Sequence, residues 1–269
     1  MKKPSIEIIS YNERVFKAIL KNVPVEIANS LRRAMIAEVP TLAIEEVIIF
    51  KNDGFLNDDS LAHRLGLIPL KTSMDYIRKL QSMEEGGGYV TLSIKVSARN
   101  DVKVVYSGDI KTRDTNVKIL SDRIEISKLA PGQSIEAEMW ATVGRGEEHA
   151  KWSPVTVAVA RGLPRIRLAK DIPQETMEKM VSVCPKGVFK IENGKLVVDD
   201  ITKCTVCDIC EKEFPDYVKV GIDESSSILY FESVGQLTTR EILNEAFNIL
   251  LSKLEEFMDK FREVELNVT

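Results

Sequence analysis

The sequence is poor in the residues that most often carry chemistry. Two histidines, four cysteines and two tryptophans are all that 269 residues offer of those types, and aromatic side chains make up only 6%. His63 and His149 stand far apart, and no H-E-x-x-H, Gly-x-Ser-x-Gly, P-loop or dinucleotide fingerprint occurs. Nothing singles out an acid–base pair among the forty-one carboxylates, so no catalytic residue of the chain's own is expected. Basic charge is not in excess either: a net charge of −4 argues against a protein whose main work is holding nucleic-acid phosphates. The one basic run carries Arg161, Arg165, Arg167 and Lys170 with Leu163, Ile166 and Leu168 between them. Pro164 excludes it from a central strand, which favours a solvated strand edge or a connector over a nucleic-acid contact. Long apolar runs are missing as well. The start Met1-Lys2-Lys3 is basic, but Glu7, Asn12 and Glu13 interrupt the residues after it, so neither a signal peptide nor a membrane span is expected and a cytoplasmic location is. The remaining composition, 44% hydrophobic and 29% charged, is ordinary for a globular chain of about two domains.

The four cysteines are few but patterned. Cys204-x-x-Cys207-x-x-Cys210 and a distant Cys184-Pro185 make half of a bacterial-ferredoxin signature, in which a tight loop presents three thiolates and a Cys-Pro supplies the fourth. The other half is still countable. Stepping back from Cys184 and on from Cys210, the remaining ligand positions fall on Gln174, Met177, Met180 and Phe214, none of them a thiol. The pattern predicts a ferredoxin-like module with one metal site kept and a second replaced by apolar packing. One iron–sulfur cluster, 4Fe-4S or 3Fe-4S, is expected on Cys184, Cys204, Cys207 and Cys210. Tetrahedral zinc is the alternative, though zinc sites more often pair two separate knuckles, and a disulfide framework is disfavoured for thiols in a reducing compartment. Between the cysteines, two apolar runs flank Asn193-Gly194 and predict a hairpin.

Along the rest of the chain, short strands are expected near residues 6–9 and 16–20. A helix begins at Pro24, with Ile27, Leu31, Ala34 and Met35 on one face and Arg32 and Arg33 beside it, closed by Pro40. From about 44 to 159 the period is two, as in Val90, Leu92, Ile94 and Val96, which reads as mostly antiparallel sheet. Residues 52–64 read as turn-rich, and Glu84-Glu85-Gly86-Gly87-Gly88 as a flexible turn. A strand at 228–233 leads to a long terminal helix opened by the capping box Thr238-x-x-Glu241. That helix has Leu243, Phe247, Leu250, Leu254, Phe257 and Phe261 at four-three spacing, with Ile242, Ala246 and Ile249 as a second strip. Two apolar strips need two burial partners, one of which is a candidate second protein chain.

Three segments together resemble one family: residues 25–46 (VEIANSLRRAMIAEVPTLAIEE), 61–70 (LAHRLGLIPL) and 220–254, with LYFESVG at 229–235. The family is that of the alpha-like D-type subunits of archaeal RNA polymerase, similar to the third-largest subunit of eukaryotic polymerase II and to the bacterial alpha amino-terminal domain. The resemblance spans nearly the whole chain. It implies an α+β protein with a discontinuous dimerization domain (1–42 and 220–269), an inserted, mainly antiparallel β domain (43–168) and a ferredoxin-like module (169–219). It further implies a non-catalytic scaffold that pairs with the small alpha-like polymerase subunit (L) through Ile27, Leu31, Arg32, Arg33, Met35, Leu243, Phe247, Leu250, Leu254 and Phe257. Subunits N and P and the second-largest subunit would assemble on that platform, with 61–70 part of the surface facing them. Nucleic acid would be met only through the complex, no membrane would be involved, and the cluster would be structural or regulatory. The rival, a ferredoxin-type electron-transfer subunit of an oxidoreductase, draws support from the module alone.

Overall fold

The computed structural model describes residues 3–83 and 88–268, with side chains through Glu263; of the glycine-rich turn at 84–88, all but Gly88 lies outside the described residues. The elements run, in order, β1 (Ser5–Tyr11), β2 (Val15–Lys21), α1 (Val25–Ala37), β3 (Thr41–Asn52), α2 (Asp58–Gly66), β4 (Leu70–Lys71), α3 (Met74–Gln81) and β5 (Val90–Ser97). They continue with β6 (Lys103–Tyr106), β7 (Ile110–Thr112), β8 (Lys118–Ile119), β9 (Glu125–Leu129), β10 (Ser134–Gly144) and β11 (Val155–Leu168). The last are α4 (Gln174–Val183), β12 (Phe189–Glu192), β13 (Lys195–Val198), α5 (Ile209–Glu213), β14 (Val218–Ser233) and α6 (Thr239–Val268). Two compact units result. One comprises residues 1–10, 17–29 and 159–230, the other 11–16, 30–158 and 231–269.

The larger unit is built on an antiparallel sheet in the order β3-β10-β5-β7. Alternation explains its core: Val90, Leu92, Ile94 and Val96 of β5 and Ile135, Ala137, Met139 and Ala141 of β10 are all buried, and their neighbours in sequence face outward. Leu61 and Leu65 of α2 and Leu80 of α3 pack into the same cluster. The stretch 52–64 is therefore not merely turns. Asn57 caps α2 by accepting from the Ser60 amide (3.0 Å), and Asp58 and Asp59 occupy its first turn. Residues that look like a loop by composition are here a helix start.

The same unit contains α6. Its capping box forms as spaced: the Glu241 carboxylate accepts from the Thr238 amide (2.9 Å) and hydroxyl, while the Glu241 amide donates back to that hydroxyl (3.3 Å). The Thr239 hydroxyl donates to the Asn12 carbonyl (2.6 Å), and ion pairs Arg78–Glu245 and Lys253–Glu38 fix the helix further along.

The smaller unit is centred on a sheet in the order β1-β2-β14-β11. β11 is an edge strand, which is how it tolerates Pro164. Gly162 lets β11 approach β14 closely, since a Cβ there would lie 2.3 Å from the Ile222 Cγ2. The hairpin β12–β13 pairs Phe189 with Val198 and Ile191 with Leu196, and its turn residues Asn193 and Gly194 both have positive φ, as a primed turn requires. A local core gathers Met177 and Met180 of α4, Val188, Phe189, Leu196, Cys204, Cys210 and Val218, with Phe214 partly buried against it.

Candidate functional site

The four cysteines, spread over 27 positions of sequence, come together in the smaller unit. Cys184 closes α4, where Pro185 ends the helix; Cys204 follows a short turn at Ile201–Lys203; Cys210 sits in the first turn of α5. All four line one cavity of about 20 Å³ together with Ile166, Val188, Phe189, Val220 and the rim residues Lys186, Thr205 and Asp208. Cys204 and Cys210 are buried, Cys184 is half-buried and Cys207 is exposed. Burial first, then the neighbouring Cys184, pushes the Cys210 thiol above its ordinary pKa. None of the four is in a disulfide.

The loop that presents them is wound in an unusual way. Val206 and Asp208, on either side of Cys207, both hold positive φ (55° and 59°), and a β-branched residue there is a genuine backbone outlier. Backbone amides point at sulfur: Val188 donates to the Cys184 Sγ and Val206 to the Cys204 Sγ, each at 3.5 Å. The donor set thus fits a thiolate-bound metal group, with four sulfurs, an apolar wall and amide donors to the sulfurs. Among the described residues, however, no group of three or more His, Cys, Asp or Glu side chains is placed to hold a metal ion.

Of the positions counted as a second, lost cluster, Met177 and Met180 are buried and Phe214 packs against them, but Gln174 does not join them. It starts α4 in solvent and donates to Glu178 (3.3 Å), so only the two thioethers and the phenyl ring of those four positions belong to the apolar core.

Nothing in the sequence signals the contacts of Arg161. Its guanidinium donates to the carbonyls of Cys204 (2.5 Å) and Thr202 (2.6 Å), so the head of the basic run is committed to the cysteine loop rather than to solvent. Lys17 of β2 donates to the Thr202 hydroxyl (2.6 Å), which in turn donates to Asp200 (2.6 Å). Burial opposes ionisation of Asp200, yet the Thr202 donors and the Lys17 charge hold its carboxyl below the usual range.

The helix faces separate into core and surface. Leu31 and Met35 are buried within the chain and are removed from the residues that can touch a partner, whereas Ile27 (52% exposed) and Arg33 face outward and Arg32 is half-buried. On α6, Ile242 and Ala246 are fully buried, Leu243 and Leu250 half-buried, and Phe247, Leu251, Leu254, Phe257, Met258 and Phe261 exposed. Leu254 and Phe257 show 58% and 64% of their surface to solvent. In 61–70, Leu61, Leu65, Ile68 and Leu70 belong to the core, leaving His63, Arg64 and Leu67 at the surface. His63 and His149, distant in sequence, line one cavity of about 210 Å³ with Glu45 and Lys151. The His149 Nδ1 accepts from the Lys151 amide (3.1 Å), and Lys151 itself pairs with Glu45 and donates to the Ile44 carbonyl (3.0 Å). No helix among the described residues is long and apolar enough to cross a membrane.

Comparison with known proteins agrees with this architecture. The family described as RNA polymerase Rpb3/RpoA insert domain matches residues 47–159, the stretch that includes β5, β7, β10 and the second half of β3. The DNA-directed RNA polymerase subunit Rpo3 of Methanosphaera stadtmanae is 34% identical over 270 residues, covering 97% of this chain and 100% of that protein. The Rpo3 of Archaeoglobus fulgidus is 35% identical over 97% of this chain. A eukaryotic relative, the DNA-directed RNA polymerases I and III subunit rpac1 of Dictyostelium discoideum, is 35% identical, with 93% of this chain and 80% of that protein covered. Identity at this level, sustained from end to end, shows that the chain belongs to the Rpo3 family of alpha-like DNA-directed RNA polymerase subunits.

Proposed function

We propose that the chain is the non-catalytic assembly scaffold of a DNA-dependent RNA polymerase, pairing with a small alpha-like subunit to form the platform on which subunits N and P and the second-largest subunit gather. The observation that carries this reading is the unpartnered face of α6. A 30-residue helix anchored by its cap and two ion pairs keeps six large apolar side chains in solvent. Single exposed hydrophobics are ordinary, but a continuous stripe along one helix marks a protein interface.

The second part of the proposal is one iron–sulfur cluster on Cys184, Cys204, Cys207 and Cys210. What favours the cluster over zinc is the spacing, one triple C-x2-C-x2-C run with a distant Cys-Pro rather than two separate knuckles. When bound, the cluster supplies binding energy available only to the folded module, which makes it a structural clamp. The chain's own contribution is to hold the four thiols in one apolar pocket and to aim the Val188 and Val206 amides at them. The electron-transfer alternative gains nothing from the family to which the chain belongs.

The test is anaerobic co-expression of the tagged chain with the small alpha-like subunit, comparing wild type with a Leu254→Asp/Phe257→Asp double variant and counting metal on each sample. Each buried Leu or Phe anchor contributes ~1.5–3 kcal/mol, so the double variant should weaken the pair by two orders of magnitude or more while keeping its iron and sulfide. Undiminished pairing would remove this face from the interface. Zinc in place of iron, with no visible absorbance, would overturn the cluster.

A further inference from the structure

We propose that Arg161 is the positioning residue of the cysteine cavity, the group through which the edge strand β11 holds the cluster-binding loop in its ligating shape. The proposal rests on the iron–sulfur reading above and concerns residues that reading does not include.

Cys204 is the first thiol of the wound loop, and the residues around it have no regular secondary structure to fix them. Residues 204–208 lie between a single short turn and the five-residue α5. With Val206 and Asp208 in the left-handed region, the loop carries strain that something must hold in place. The Arg161 guanidinium spans the carbonyls of Thr202 and Cys204, two residues apart, with two of its five donors. That is a fork-shaped demand. A lysine in the same place would carry the charge but serve one carbonyl at a time. Arg161 is half-buried on a strand whose neighbour, β14, is drawn close by Gly162, so its base is as rigid as the sheet. On the opposite side of Thr202, Lys17 takes the hydroxyl. The limb that leads into the first thiol is thus tied to two strands of one sheet.

The roles of fork and charge are separable. Losing the fork frees the Thr202–Cys204 limb, so Cys204 departs from the ligand set more readily and the cluster is released faster. Losing the charge removes a cation bonded to the backbone carbonyl of Cys204, one of the four proposed ligands. Nearby charge and hydrogen bonding set cluster potentials, so the midpoint should move in the negative direction.

The experiment reconstitutes the full-length wild type, Arg161→Lys and Arg161→Ala anaerobically. It follows loss of visible absorbance to an iron chelator, the midpoint potential, and thermal unfolding with and without cluster. Expected are release at least tenfold faster in both variants, a more negative midpoint in Arg161→Ala, and a midpoint near wild type in Arg161→Lys. The stability lost by each variant should be larger with the cluster than without it. Release at the wild-type rate in both variants would overturn the role of Arg161 while leaving the cluster standing. Equal destabilisation of the apo and loaded forms would also overturn it, showing a strand contact with no coupling to the site. A wild-type chain that takes up no iron would sink the cluster reading itself, and this one with it.

Discussion

Tyr76 and Asp114 show how one residue pair ties the larger unit to pH. The Tyr76 hydroxyl donates to the Asp114 carboxylate, and burial together with that carboxylate raises the phenol pKa to about 12. Because the folded value lies above the ordinary one, the contribution is fully present below pH 10 and is lost as pH rises through about 12. Asp114 runs the other way: burial opposes its ionisation, but the Tyr76 and Asn116 donors prevail and hold its carboxyl low. Its share is therefore present above the usual aspartate range and lost as pH falls through the depressed value. Replacing Tyr76 with Phe should cost about 1 kcal/mol at neutral pH. The phenolate absorbance difference between wild type and that variant should rise near pH 12, and a rise at pH 10 would count against the bond. Such pairings are not legible in the sequence. The thiols are, because C-x2-C-x2-C is a local pattern. Arg161 is not, because its partners lie about forty residues away and a basic residue on an edge strand looks like any solvated one.

At the scale of elements, local rules succeed where the signal is periodic or capped. The alternation in β5, the Asn-Gly turn of β12–β13 and the Thr238/Glu241 box each arise from a few neighbouring residues. α2 escapes because a helix start and a turn use the same Asn and Asp residues, and only the cap bond at Asn57 distinguishes them. The faces of α1 and α6 are half legible: spacing marks the apolar strips but not which strip the chain itself covers. Leu31 and Met35 are covered, and Leu254 and Phe257 are not. Thr238→Ala should destabilise the larger unit by about 1 kcal/mol through the lost cap. Far-UV circular dichroism during thermal unfolding would show it as an earlier loss of helix, and an unchanged transition would mean that the Thr239–Asn12 bond, the two ion pairs and the buried Ile242 and Ala246 hold the helix without the box.

Across the whole molecule, the feature least visible in sequence is that a single sheet takes its strands from distant parts of the chain, β1 and β2 from the start, β11 from past the middle and β14 from further still. No local signal encodes a pairing at that separation. The division into two units gives the metal-removal prediction: if the proposed cluster is bound, chelating its iron should open protease sites within residues 169–218 while 44–158 stays resistant. Simultaneous cleavage in both stretches would mean that the cluster's influence does not stop at the smaller unit. The sheet order also carries a consequence for biosynthesis. β2 neighbours β14, yet roughly 200 residues must be synthesised between them, on the order of 10–40 s at ~5–20 residues per second. For that interval the β1–β2 hairpin has emerged from the ribosome without its neighbour, and an isolated hairpin is marginal in water. It bears Ile6, Ile8, Ile9 and Tyr11, which stay exposed even in the finished fold. Until β14 is translated, the first two strands lack the neighbour that joins them to the rest of the sheet, and their apolar side chains are presented on the nascent chain.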